Sequence, residues 1–176
     1  MHNILLVCYS RTGNTRLVAD ELVQITGCRL GLIHDLRPRT GISGDWRCMF
    51  DGWLRTRPAY RYEGPKPEDF EHIVLLTPVW MRGLAAPLRS FLSDHELSQK
   101  RISVICTQGG RGGFNAVEEI AELTHQVPSP VQILLQREVL SGLSSKRLED
   151  FVAQVLATPT YQDDRQRPAW LSPLVS

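Results

Sequence analysis

Cysteine is scarce in this chain, with four among 176 residues, and no two cysteines lie close together in the sequence. A zinc site or a dithiol redox motif needs closely paired cysteines, so neither is expected. Cys8 and Cys106 fall inside apolar runs, where cysteine acts as a small hydrophobic residue. We therefore expect reduced thiols. The five histidines also lack the spacing of metal ligands, and no metal site is predicted.

Neither sign of charge is in excess, and long hydrophobic runs are missing. Twenty basic residues against nineteen acidic ones leave a net charge of +1, which offers no overall attraction for nucleic acid or a membrane surface. The apolar run from Ile4 to Cys8 is too short for a signal-peptide core or a membrane span. We expect a cytoplasmic protein that neither binds nucleic acid nor spans a membrane.

Five apolar segments alternate with helical patterns along the chain. The predicted strands are Asn3–Tyr9, Cys28–Leu36, Ile73–Val79, Arg101–Thr107 and Pro130–Gln136. The predicted inner faces of the helices are formed by Leu17, Val18, Leu22 and Ile25, by Leu88, Phe91 and Leu92, by Phe114, Val117, Ile120 and Ala121, and by Leu148, Phe151, Val152, Val155 and Leu156. This order predicts an α/β fold with a doubly wound parallel sheet, whose ligand site lies beyond the carboxyl ends of the strands. We expect one domain over residues 1–157 and a C-terminal tail over residues 158–176.

The segment from Arg37 to Glu71 is longer than the other connections. Its large apolar residues fall at helical spacing and predict the core contacts of a further helix: Trp46, Met49, Phe50, Trp53 and Leu54. Six arginines against two aspartates between residues 37 and 61 give a local excess of four positive charges. This surface is either a solvated face or a place for the phosphates of NADPH or an acidic partner.

A polar loop follows the first predicted strand, where a helix begins. It consists of Ser10, Arg11, Thr12, Gly13, Asn14 and Thr15. The free N–H groups and the positive end of the helix dipole favour a phosphate group there, and hydroxyl side chains can donate to its oxygens. The loop lacks the lysine of a P-loop and the three-glycine spacing of a dinucleotide fingerprint, so ATP and a Rossmann-bound NAD fit it poorly. The alternative is a hydroxyl-rich turn that only caps the helix.

Together with its strand, the stretch ILLVCYSRTGNT over residues 4–15 closely resembles the FMN-phosphate signature of flavodoxins. The resemblance implies a three-layer flavodoxin-like sandwich around a five-stranded parallel sheet of order 2-1-3-4-5. It also implies one FMN at the switch point of the sheet and redox chemistry at the flavin.

Two later loops resemble the loops that hold the flavin ring in this family. The first contains Pro78, Val79, Trp80, Met81, Arg82 and Gly83, and the second contains Thr107, Gln108, Gly109, Gly110 and Gly113. Glycines in the second allow the backbone to approach a flat ring. Trp80 is the predicted aromatic partner of the ring, and the alternative is a tryptophan packed in the core.

The resemblance implies two kinds of redox function. We favour an FMN-dependent oxidoreductase of the quinone-reductase type, which passes electrons from NADH or NADPH to a quinone or a similar small acceptor. The net charge of +1 disfavours the alternative, an electron carrier between proteins, because such carriers are typically strongly acidic. Arg82 and Arg111 are expected beside the ring, where a cation stabilises the reduced, anionic flavin, and the alternative for both is a solvated loop charge. A third hypothesis is that the chain is an interaction domain that binds no flavin.

The resemblance also suggests an analogy for the assembly of the chain. Flavin sites in this superfamily are often completed across a dimer interface, so Tyr161 and Trp170 of the tail could dock on the neighbouring subunit of a homodimer.

Overall fold

The structure is a computed structural model that describes residues 3–36 and 57–157. Seven strands and five α-helices occur in these ranges, with a short 3-10 helix at Pro67–Asp69. The elements are β1 Ile4–Tyr9, α1 Asn14–Thr26, β2 Arg29–Asp35, β3 Tyr60–Glu63, β4 His72–Trp80, β5 Gly83–Leu84, α2 Ala86–Asp94, β6 Arg101–Gln108, α3 Gly113–Thr124, β7 Val131–Leu135, α4 Gln136–Leu140 and α5 Ser145–Ala157.

The sheet corrects the prediction of five strands. Within the described residues it has seven strands, in the order β3-β2-β1-β4-β6-β7, with β5 paired to β4. The five strands β2, β1, β4, β6 and β7 are parallel neighbours in that order. The two additional strands are antiparallel, β3 at the edge beside β2 and β5 on the end of β4. The parallel part therefore follows the predicted order, and the complete sheet is mixed.

Hydrophobic residues cover both faces of the sheet, so the molecule has three layers. In β1, Leu5, Val7 and Tyr9 belong to the core beneath α2 and α3, while Leu6 and Cys8 belong to the core beneath α1 and α5. This alternation arises because successive side chains of a strand point to opposite faces. The buried run expected of a parallel strand covered on both sides is confirmed.

Four of the predicted inner-face residues are instead exposed. Leu17, Ile25, Phe114 and Leu156 are between 41% and 54% exposed. Helix α1 buries Val18, Ala19 and Leu22, so Leu17 and Ile25 lie at the margins of its buried face. Phe114 is the second residue of α3 and Leu156 the last but one of α5, so both lie at helix ends. Helix α1 ends as predicted at Gly27, whose left-handed φ of 66° allows its N–H to bond the carbonyl of Val23.

Four elements were not predicted: β3, β5, α4 and the short 3-10 helix at Pro67–Asp69. Tyr60–Glu63 alternates buried-facing tyrosines with charged residues, which is a strand pattern too short to stand out in the sequence. Helix α4 begins at Gln136, which the sequence placed at the end of the last strand. The predicted helix with Trp46, Met49, Phe50, Trp53 and Leu54 lies outside the described residues, and so does the tail.

Two further findings concern the described ranges as a whole. No helix in residues 3–36 and 57–157 is long and apolar enough to cross a membrane. The same ranges contain no cluster of histidine, cysteine and carboxylate side chains that could hold a metal ion. Cys8, Cys28 and Cys106 are free thiols, and Cys48 lies outside the described residues.

Candidate functional site

Three loops meet at one edge of the sheet. They follow β1, β4 and β6, which are parallel neighbours, so their carboxyl ends lie side by side. The first loop is residues 10–13 and the third is residues 109–112. The second is residues 78–83, which comprise the last residues of β4, the turn at Met81 and Arg82, and Gly83. The chain leaves β1 for β2 on one side and returns in β4 on the other, which makes this edge the topological switch point where α/β proteins bind ligands.

The three loops line a cavity of about 170 Å³. Its lining residues are Arg11, Thr12, Asn14, Thr15, Pro78, Val79, Trp80, Thr107, Gln108, Gly109 and Gln136. Pockets for larger cofactors are typically about 300–1,000 Å³, so a ligand of that size would fill this cavity and extend over its open mouth. Among the described lining residues Arg11 carries the only charge, and no carboxylate is present. The cavity therefore favours an anionic ligand.

The first loop leads directly into the N-terminus of α1. Gly13 has φ 94°, a conformation that a side chain disfavours, and its carbonyl accepts the first helical bond from Leu17 at 2.9 Å. The loop is braced by its own polar groups, since the Gly13 N–H donates to Ser10 Oγ at 3.2 Å and Asn14 Nδ2 donates to Thr12 Oγ1 at 3.3 Å. The first turn of α1 contains no acidic residue, so the positive end of the helix dipole is not neutralised there.

A buried hydrogen bond ties the first loop to the third. The hydroxyl oxygens of Thr15 and Thr107 lie 2.7 Å apart, and both residues are almost completely buried. Cys8 Sγ lies beside this pair, 3.8 Å from the Thr15 carbonyl oxygen, whereas Cys106 is buried in the core on the opposite face of the sheet. Burial raises the pKa of each thiol to about 12. Both sulfurs are therefore neutral thiols and unsuited to nucleophilic chemistry.

The second loop contains a two-residue hairpin turn, in which Met81 has φ 45° and Arg82 has φ 65°. Strands β4 and β5 pair Trp80 with Gly83 and Val79 with Leu84 on either side of it. Positive φ at both central residues is the type I′ geometry, which usually selects Asn-Gly. Methionine and arginine in the left-handed region cost about 1–2 kcal/mol each, so surrounding contacts must hold this turn.

The second loop packs closely against the third. Gly112 has φ 104°, and a Cβ added to it would meet the Cα of Arg82 and lie 2.8 Å from that residue's carbonyl carbon. Only glycine fits this approach. Gln108 and Gly113 flank the third loop and connect its two ends, because Gln108 Oε1 accepts a hydrogen bond of 2.8 Å from the Gly113 N–H.

Trp80 lines the cavity and is held by residues behind it. Its ring meets the ring of Tyr9 edge to face, with 5.3 Å between centroids and 83° between planes. The buried Tyr9 hydroxyl donates to Asp35 Oδ2 at 2.6 Å, so the carboxyl ends of β1, β2 and β4 are linked through these side chains.

No protein-family model matches the sequence, and a search of curated proteins found no related sequence. Solved structures do resemble the chain. A protein from Bacteroides uniformis ATCC 8492 has a TM-score of 0.72 and 17% identity, with 86% of this chain and 98% of that one covered. The flavoprotein from Lactobacillus acidophilus NCFM, solved in complex with FMN, has a TM-score of 0.60 and 15% identity over 80% and 98% of the two chains. The Fusobacterium nucleatum flavodoxin bound to flavin mononucleotide has a TM-score of 0.55 and 12% identity over 87% and 96%. This chain has a flavodoxin-like fold.

Within this flavodoxin-like fold, ten of the predicted site residues line the cavity together. They are Arg11, Thr12, Asn14, Thr15, Pro78, Val79, Trp80, Thr107, Gln108 and Gly109. The other predicted residues shape the loops without lining it: Ser10, Gly13, Met81, Arg82, Gly83, Gly110 and Gly113. Arg82 and Arg111, expected beside a ring, are exposed side chains outside the lining, and the lining cation is Arg11.

Gln136 also lines the cavity, although the sequence did not predict it as a site residue. It follows β7 directly, so the rule that ligands bind beyond the carboxyl ends of parallel strands could have identified it.

Proposed function

We propose that this chain binds FMN in the cavity and passes electrons from NADH or NADPH through the flavin to a quinone or a similar small acceptor. The observation that supports the proposal is the convergence of the three loops on one cavity at the switch point of a flavodoxin-like fold. The FMN bound by the Lactobacillus and Fusobacterium proteins is consistent with it.

The first loop suits the phosphate of FMN. Thr12, Asn14 and Thr15 offer hydroxyl and amide donors around the N-terminus of a helix of 13 residues. Arg11 adds the positive charge of the lining. A phosphate dianion bound there gains charge-assisted hydrogen bonds, which are roughly twice as strong as neutral ones.

The second and third loops suit the flavin ring. Trp80 provides an aromatic face, Val79 an apolar surface and Gly109 a backbone without a side chain. A Cβ at Gly109 would meet no protein atom within 4 Å, so the space in front of it is open to a ligand. When bound, FMN supplies hydride and electron transfer, while the protein supplies binding, orientation and electrostatics.

A flavin titration tests the binding proposal. FMN and riboflavin share the ring, but only FMN carries the phosphate. The dissociation constant of FMN, measured by quenching of flavin fluorescence on addition of the purified protein, should therefore be lower than that of riboflavin. Asn14→Ala should weaken FMN by about tenfold or more, which is the effect of one hydrogen bond to a charged group, and leave riboflavin unaffected. Asn115→Ala is the matched control, because Asn115 is exposed on α3 and does not line the cavity. Equal affinity for FMN and riboflavin would contradict the phosphate assignment, and no binding of either would favour a flavin-free interaction domain.

A steady-state assay tests the reaction. NADH or NADPH oxidation by the FMN-loaded protein with a soluble quinone alone supports the oxidoreductase. Activity that appears only after a separate reductase is added would instead support an electron carrier between proteins.

A further inference from the structure

A buried pair of opposite charges lies behind the second loop, outside the cavity lining. Arg89 of α2 and Glu119 of α3 form an ion pair between Nε and Oε1, with side chains only 4% and 9% exposed. Ion pairs this deeply buried add little to stability, because removing both charges from water offsets their attraction. The geometry around the pair indicates a different role.

The pair binds both polar backbone groups of Leu84. Arg89 Nη2 donates to the Leu84 carbonyl at 3.1 Å, and the Leu84 N–H donates to Glu119 Oε2 at 3.4 Å. Leu84 is completely buried and pairs with Val79 of β4. Two apolar side chains of the same size could not satisfy these two groups.

The hairpin that ends at Leu84 needs such an anchor. Its turn holds two non-glycine residues at positive φ, Met81 and Arg82, which persist only where surrounding structure determines them. On one side Gly112 packs against Arg82. On the other side the Arg89–Glu119 pair holds the last residue of the hairpin.

We propose that the Arg89–Glu119 pair positions the second loop and thereby keeps Val79 and Trp80 in the wall of the cavity. Both are positioning residues, since they act through Leu84 and do not line the cavity. The part of this inference that concerns ligand affinity rests on the proposed binding of FMN, whereas the part that concerns the loop does not.

Glu119→Gln removes one acceptor with little change in shape. The carboxylate uses one oxygen for Arg89 and the other for Leu84, and an amide offers only one oxygen. In the ligand-free protein, hydrogen–deuterium exchange of the Leu84 amide should accelerate by about tenfold, the effect of one lost hydrogen bond. Amides of β1 and β6 should exchange as in the wild type. Glu122→Gln is the matched control, because Glu122 is an exposed residue of the same helix.

Ligand titrations add a readout that a purely structural role would not change. Glu119→Gln should weaken FMN and riboflavin by the same factor, because the second loop faces the ring, and leave the ratio of the two dissociation constants unchanged. If the wild-type protein binds neither flavin, the proposed function fails, and the exchange experiment alone decides the positioning role.

Faster exchange spread evenly over the core, or unchanged exchange at residues 81–84, would overturn the inference. If Glu119→Gln does not fold, Arg89→Lys provides the same test, because lysine retains the charge but lacks the second guanidinium nitrogen that reaches the Leu84 carbonyl. Hydrogen–deuterium exchange of the Arg89→Lys variant should also accelerate at residues 81–84.

Discussion

Gly112→Ala tests whether the contact between the second and third loops holds the candidate site together. The substitution places a methyl group against the backbone of Arg82, with its carbonyl carbon only 2.8 Å away, at a residue whose φ is 104°. Backbone cannot move aside as cheaply as the end of a flexible side chain. The new methyl group must therefore displace the hairpin turn, the third loop or both.

The magnitude follows from two costs. A non-glycine residue in the left-handed region costs about 1–2 kcal/mol, and overpacking typically costs about 1–3 kcal/mol. Together they predict that Gly112→Ala lowers the free energy of unfolding by about 2–5 kcal/mol. Gly110→Ala is the matched control in the same loop, because a Cβ there meets nothing within 4 Å and its φ is not left-handed. Its effect should stay within about 0.5 kcal/mol.

Urea unfolding followed by circular dichroism measures both variants against the wild type. Under conditions where Gly112→Ala remains folded, its affinity for riboflavin should also fall, because the displaced turn carries Trp80 with it. Equal stability of the two variants would refute the reasoning, since it would mean that the loops do not meet as closely as the structure shows.

Three other predictions concern buried polar groups. Burial and the nearby Arg101 lower the pKa of His72 from 6.5 to about 4, so the folded state disfavours the protonated ring. Stability should then fall as pH drops from 6.5 towards 4, by about 2 kcal/mol between pH 7 and pH 5. Urea unfolding of the wild type and of His72→Gln at several pH values checks this. If the free energy of unfolding of the variant depends on pH as steeply as that of the wild type, the prediction is contradicted. Thr15→Val should lower the free energy of unfolding by about 1–3 kcal/mol, because it leaves the Thr107 hydroxyl without its buried partner. The double variant Thr15→Val with Thr107→Val should be little less stable than Thr15→Val alone, and a double-mutant cycle measures this difference. Tyr9→Phe should lower stability by about 1 kcal/mol in urea unfolding through loss of the bond to Asp35, and an unchanged midpoint would argue against that bond.

Much of the fold could be predicted from short stretches of sequence. The apolar run of β1 and the end of α1 at Gly27 each depend on residues that lie close together in the sequence. The three loops were also predicted, because glycine, proline and hydroxyl residues reveal turns locally. The margins of the helices were less predictable, as Leu17 and Phe114 show, because exposure depends on how neighbouring elements pack.

Other features of the site depend on contacts between distant residues. The turn at Met81 and Arg82 carries no Asn-Gly signal, so the hairpin that it makes was not predicted. The choice between Arg11, Arg82 and Arg111 as the cation of the cavity also depended on the path of each loop in space.

By itself, the sequence determined the parallel α/β architecture, the position of the candidate site at the carboxyl ends of the strands, and the polar first loop. Only the tertiary structure decided which side chains meet, such as Thr15 with Thr107 and Arg89 with Glu119. The physical reason is that strand, helix and turn preferences act over a few residues, whereas these pairs are 92 and 30 residues apart in the chain. Their contacts exist only after the sheet and its helices have packed.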